Sequence, residues 1–139
     1  MPKFSQKLYD ENDKKAKDAL RNHLDSLGIY TLIQEDFKAD IKTFREEHHE
    51  SEIKNRWIDD WPVAWNTIHI PARKKRYMDG GKTVIFWIFN HTCTKAWRIH
   101  GDHLDDTQLE SIPNPRYPEG EPFYNIPIRL GKLVEIIKK

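Results

Sequence analysis

The run VIFWIF, Val84–Phe89, constrains this chain more than any other stretch. Every residue in it is β-branched or aromatic, and it is too short for a helix. It also lacks the apolar–polar alternation of a strand with one wet face, so it reads as a central strand buried on both sides. A fold built around it must supply an apolar layer above and another below. Asp79-Gly80-Gly81 marks a turn before it, and residues 95–100 read as its hairpin partner.

One of those layers is legible near the start. Within residues 8–27, Ala16, Ala19, Leu20, His23, Leu24 and Leu27 recur at helical spacing, one apolar stripe with charges opposite. Gly28 follows where a helix C-terminus favours positive φ. On that stripe His23 reads as a histidine packed at the core edge. Residues 29–34 (IYTLIQ) form a candidate strand. After them Phe37, Ala39 and Ile41 alternate with Lys38, Asp40 and Lys42, a second strand with one apolar face. A polar turn at residues 46–49 leads to a third strand over residues 50–57, with Glu50, Glu52 and Lys54 on one face and Ile53 turned to the core. Trp61-Pro62 and Ile70-Pro71 break any long helix before residues 72–78, which suit a short basic one. Residues 102–122 read as loop after a short helical turn, and residues 123–137 as an arm or late strand. The order α-β-β-β-(α)-β-β predicts an α/β (α+β) fold with a mixed sheet and a leading helix.

The 139 residues suit one domain, which at this size buries roughly two thirds of its unfolded surface without needing disulfides or structural metal. The single cysteine, Cys93, excludes an internal disulfide and suits a reducing compartment. The start, MPKFSQKLYDEND, has no apolar core of a signal peptide. The longest apolar run, Val84–Phe89, is far short of the ~20 residues of a membrane span. A cytoplasmic protein is therefore expected. The net charge of +1 hides uneven patterning, with acids gathered in residues 10–25, 46–52 and 102–110 and bases at Arg73, Lys74, Lys75 and Arg76.

Chemistry concentrates in residues 38–54, KADIKTFREEHHESEIK. Eleven residues separate Asp40, on the second strand, from Glu52 on the third, and Lys54 stands two beyond. If the two strands pair, the three side chains converge on one sheet face. Two carboxylates suit a hard cation such as Mg²⁺, which polarises a phosphoryl oxygen and lowers the pKa of a bound water. A lysine beside them stabilises charge developing on a phosphate. Acid-x-Lys alone is a weak signal, since Asp13/Lys15, Asp36/Lys38 and Asp40/Lys42 also match it. Only the Glu52/Lys54 pair has an earlier strand acid at a hairpin's distance.

With those residues in that order, the chain resembles the PD-(D/E)XK nuclease superfamily, the restriction-endonuclease-like fold, over about residues 8–100. The resemblance implies an N-terminal helix, a three-stranded meander, a second helix and further strands in a mixed central sheet. It leaves residues 101–139 as a C-terminal extension of a single nuclease-like domain. It implies Asp40 and Glu52 as metal-binding acids, the Ile53 carbonyl as a further metal ligand, and Lys54 as the catalytic lysine. Ala39 stands where the family carries proline. A first-helix acid, Asp18, Glu11 or Asp13, completes the pattern. The implied activity is Mg²⁺-dependent DNA endonuclease, with Mn²⁺ as substitute and a homodimer for cutting both strands. The compact, charged, aromatic-rich composition is associated with phage and mobile-element nucleases, which act inside an infected cell. Arg73, Lys74, Lys75 and Arg76 would contact backbone phosphates. The alternative is a non-catalytic nucleic-acid- or protein-binding module of the same fold.

Other groupings are weaker. His100, Asp102, His103, Asp105 and Asp106 lack a fixed third or fourth ligand for Zn²⁺ unless His48 or His49 supplies one. Cys93 beside His91 has no orienting partner and reads as incidental. Trp57, Trp61 and Trp65 read as core and edge packing rather than a base-stacking platform.

Overall fold

The computed structural model of the protein describes residues 6–29, 31–33, 41–43, 47–113 and 120–137. Helix α1, Gln6–Ser26, buries Ala16, Leu20, His23 and Leu24. The stripe ends there: Leu27 is exposed, because the chain leaves the helix through Gly28 at φ 77°. Strands β1 (Thr31–Ile33), β2 (Ile41–Thr43) and β3 (His48–Ile53) form an antiparallel meander, with Ile41 opposite His49. The third strand thus begins earlier than the sequence suggests. His48 and His49 lie within it and are buried, where a polar turn is expected. Their burial follows from pairing: β3 runs parallel to β5, Val84–Phe89, with His48 opposite Val84 and Ile53 opposite Phe89.

Between β3 and β5 the chain does not form the expected second α-helix. It passes through β4, Thr67–Pro71, and then a seven-residue 3₁₀ helix, Ala72–Met78. Pro71 bounds it on one side and the Gly80-Gly81 turn, both glycines at positive φ, on the other. Strand β6, Lys95–His100, returns antiparallel to β5. Asn90 shapes their turn: its Oδ1 accepts from the backbone N–H groups of Thr94 and Lys95, and its Nδ2 donates to the Thr94 hydroxyl.

The segment beyond residue 100 is built into both sheets. Strands β7 (Leu109–Ile112) and β8 (Glu121–Pro127) join β4 in a three-stranded sheet, order β4-β8-β7. Strand β9, Lys132–Glu135, pairs with β6 and completes a six-stranded mixed sheet, order β1-β2-β3-β5-β6-β9. All six residues of β5 are buried, as its lack of alternation predicts, and they divide between two cores. Ile85, Trp87 and Phe89 pack with Ala16, Leu20 and Leu24 of α1. Val84, Phe86 and Ile88 pack with Ile68, Ile70, Tyr124 and Ile126 of the small sheet and with Trp57. The architecture is α+β: a helix, a mixed sheet and a second sheet in three layers. No described helix is long and apolar enough to cross a membrane.

Candidate active site

Strand alternation places Glu50 and Glu52 on the face of β3 turned away from α1, where the 3₁₀ helix meets it. Lys74 is the buried residue of that helix. Its Nζ lies 3.1 Å from Glu50 Oε2 and 3.5 Å from Glu52 Oε2. Glu50 and Lys74 are each 6% exposed, so this is a buried triad of two carboxylates and one ammonium. Glu52 is its outer member, with a side chain 37% exposed. Its Oε2 is nonetheless enclosed and accepts no hydrogen bond, the Lys74 contact being an ion pair at the outer limit of bonding distance.

Two clefts flank Glu52. One, of about 170 Å³, lies between the first half of α1 and the 3₁₀ helix, lined by Asn12, Asp13, Ser51, Arg73 and Lys74. The other, of about 280 Å³, lies toward the small sheet and is lined by Lys54, Arg56, His69, Ile88 and Phe123. Glu52, Ile53 and Asn55 line both. Of the three helix acids, Asp13 thus stands in a cleft with Glu52, whereas Asp18 pairs with Lys14 on the exposed face at 2.6 Å.

Glu52, Ile53 and Lys54 are all placed at this junction; Asp40 lies outside the described residues. The Lys54 backbone is anchored by its N–H donating to the Phe89 carbonyl at 2.8 Å. Its ammonium sits 5.1 Å from the centre of the Trp65 ring. Burial lowers the Lys54 pKa, the nearby Glu52 charge opposes that change and Arg56 reinforces it. The His69 imidazole is held below its usual range, by burial first and then by Lys54, with Glu110 opposing.

The basic run Arg73, Lys74, Lys75 and Arg76 does not stay together as one solvated patch. Arg73 Nε bonds Glu121 at 3.3 Å, Lys74 turns inward, Lys75 bonds Asp106 at 3.0 Å, and the Arg76 guanidinium lies 5.4 Å from the Tyr77 ring centre. A helix with about three residues per turn points consecutive side chains in three directions. What the sequence does not reveal is the meeting of Glu50 with Lys74. Alternation puts Glu50 beside Glu52, but nothing local in the sequence says which of four adjacent bases turns inward.

The remaining groupings resolve simply. His49 Nδ1 accepts from Trp87 Nε1 at 2.9 Å, and burial, with Arg98 and His48 behind it, brings its pKa to about 4. His100 Nδ1 accepts from the Asp102 N–H at the start of a short turn. Cys93 is buried, in no disulfide, at φ 56°. Trp57 is fully buried, and Trp61 stacks edgewise on it, on Trp65 and on Trp97. Among the described residues no three His, Cys, Asp or Glu side chains gather as a metal cluster.

The chemistry of the donors fits a hard divalent cation. Glu50 and Glu52 offer carboxylate oxygens, and one of these is enclosed without a hydrogen bond. Mg²⁺ is often held by only one or two carboxylates, with waters filling the rest of its shell. Comparison with models of known protein families, with curated proteins and with solved structures finds no match.

Proposed function

We propose that this chain is a metal-dependent endonuclease that hydrolyses phosphodiester bonds of DNA. One observation carries the reading: the enclosed, unbonded oxygen of Glu52 at the junction of two clefts, with Glu50 and Lys74 behind it. The leading helix followed by a three-stranded antiparallel meander supports it, being the first part of the order implied by the resemblance to restriction-endonuclease-like proteins; the second helix of that order is replaced by the 3₁₀ helix.

Glu52, with Glu50, Asp40 and the Ile53 carbonyl, would hold Mg²⁺. The ion's contribution there is to polarise a phosphoryl oxygen and make a bound water more acidic. The chain's own groups set the field around it. Lys74 holds the buried Glu50 carboxylate in place through the ion pair at 3.1 Å. Glu52 presents its second oxygen to the junction. Lys54, half-buried on the other side, offers an ammonium to the negative charge that grows on the phosphate. In the hydrolysis the water oxygen bonds to phosphorus, one bridging P–O bond breaks, and the departing oxygen takes a proton. One such site cuts one strand, so cutting both calls for a second copy of the chain. A reducing, intracellular setting suits the single cysteine, Cys93.

One observation favours a second reading, a non-catalytic nucleic-acid- or protein-binding module. Lys74 already neutralises much of the Glu50/Glu52 charge, as a purely structural ion triad would. Nicking of supercoiled plasmid with Mg²⁺ or Mn²⁺ separates the two. The wild type is expected to nick, and Asp40→Ala, Glu52→Ala and Lys54→Ala each to remove several kcal/mol of transition-state stabilisation, roughly a thousandfold in rate. A wild type that binds DNA without cutting establishes the second reading. Cutting that survives all three changes makes this site the wrong one.

A further inference from the structure

The 280 Å³ cleft beyond Glu52 is lined by charged and apolar side chains together. Lys54, Arg56, His69 and Asn55 line it together with Ile53, Ile88 and Phe123. His69 and Phe123 project from the same face of the small sheet, opposite to Ile70 and Tyr124, with ring centres 6.0 Å apart. Among the described residues Lys54 makes no ion pair, although it is half-buried; the Trp65 ring lies 5.1 Å from its ammonium, and the Glu52 charge acts on it without a bond. A half-desolvated cation without a bonded anion is a site at which an anion is stabilised strongly.

We propose that this cleft is a nucleotide subsite, in which Lys54, Arg56 and His69 hold a phosphate and Phe123 stacks the attached base of a single DNA strand. The proposal rests on the nuclease reading for its purpose: Glu52 lines this cleft too, so a strand with one nucleotide seated here brings its adjoining phosphate to the carboxylates. The size agrees. The volume of about 280 Å³ is close to the roughly 300 Å³ at which small-molecule pockets begin, enough for one nucleotide unit and too little for a base pair. The chemistry agrees as well, because cations that track a backbone beside an aromatic face are how proteins hold single strands without reading their sequence. It also relocates the phosphate contacts from Arg73, Lys74 and Lys75, whose charges are met by Glu121, Glu50 and Asp106, to cations with no such partner among the described residues.

The test uses the full-length protein in EDTA, so that binding is read without cleavage. Probes are a thymidylate hexamer, thymidine monophosphate, thymidine and inorganic phosphate, followed by tryptophan fluorescence and by the His69 ring resonances. The expected order of affinity is hexamer, then monophosphate, then phosphate or nucleoside alone, with His69 resonances shifting on binding. Lys54→Met, His69→Gln and Phe123→Leu should each weaken hexamer binding about tenfold, within the range measured for single stacked bases. Lys82→Ala, exposed and remote from the cleft, should leave it unchanged. Glu52→Gln removes a negative charge from the wall and should tighten binding while cutting is lost. Hexamer affinity that is indifferent to Lys54, His69 and Phe123, in variants with wild-type circular dichroism, overturns the subsite. So does monophosphate binding no better than inorganic phosphate, which would describe an anion patch with no place for a base. If binding behaves as expected and no metal produces nicking, the subsite stands and the endonuclease reading falls.

Discussion

The two faces of β3 bury polar groups in opposite ways. Toward α1 they are neutral: His49 accepts from Trp87, and His23 packs edgewise on the same Trp87 ring while its Nδ1 accepts the N–H of Ile137. Toward the 3₁₀ helix they are charged, with Glu50, Glu52 and Lys74 in one cluster. Neutral imidazoles cost less to bury than charges, although His49 Nε2 is enclosed without a hydrogen bond. Buried charges cost more, since their mutual attraction often fails to offset the desolvation of both ions. A chain selected for stability alone would do better with apolar residues at those three positions. The charged face is thus the costly one to bury, and the neutral face the less costly.

Removing Lys74 strains that contrast most. Lys74→Met keeps the length and apolar stem of the side chain but leaves two carboxylates facing each other. A buried pair that loses one partner costs about 3–5 kcal/mol, which urea denaturation at neutral pH reads directly. The loss should be partly recovered by Mg²⁺: saturation at ten times the dissociation constant contributes about 1.4 kcal/mol. A cost below about 1 kcal/mol would mean that Lys74 does not hold the carboxylates together, and the charged face would be no different from a solvated surface.

The neutral face makes a prediction about pH. His49 titrates at about 4 in the folded protein, against an ordinary value of 6.5. Between those values the unfolded chain binds a proton that the folded protein refuses, so stability falls as pH drops from about 6.5 toward 4 and is unaffected by His49 above that window. At about 1.4 kcal/mol for each pH step between the two values, the loss reaches at most about 3.5 kcal/mol. His23, also lowered by burial, acts in the same direction. Comparing urea midpoints at pH 7 and 4.5 for the wild type and His49→Gln isolates the contribution. The variant should lose distinctly less stability than the wild type on acidification; an equal loss would assign the pH dependence to the carboxylates of the other face.

How far such features are legible in the sequence depends on the distance over which each is decided. The helix stripe of Ala16, Leu20 and Leu24, the two-sided strand Val84–Phe89 and its hairpin partner Lys95–His100 depend on local periodicity, and all three read correctly. Strand β4 does not, because Pro62 and Pro71 and three tryptophans mask a short stretch whose strand character comes from pairing with β8 more than fifty residues on. The start of β3 is misread for the same reason: two histidines look like a turn until β5 buries them. In the candidate site, the period of two puts Glu50 and Glu52 on one strand face, whereas Lys54, expected on it too, lies just past the end of β3. The inward turn of Lys74 is a tertiary fact with no local signature.

The smallest effect tests the edge of the site. Asp18 and Lys14 form an ion pair at 2.6 Å, but their side chains are 53% and 78% exposed, and the lysine precedes the acid, the weaker orientation on a helix. Asp18→Asn should therefore cost no more than about 0.5 kcal/mol and leave nicking untouched. Asp13, five residues earlier, lines the cleft with Glu52. Asp13→Asn should be equally mild for stability, yet it removes a negative charge from the approach to the carboxylates and should raise the Mg²⁺ concentration needed for half-maximal nicking. A metal requirement that moves with Asp18 and not with Asp13 would place the helix's contribution on its solvent face, and the cleft between α1 and the 3₁₀ helix would lose its claim to the chemistry.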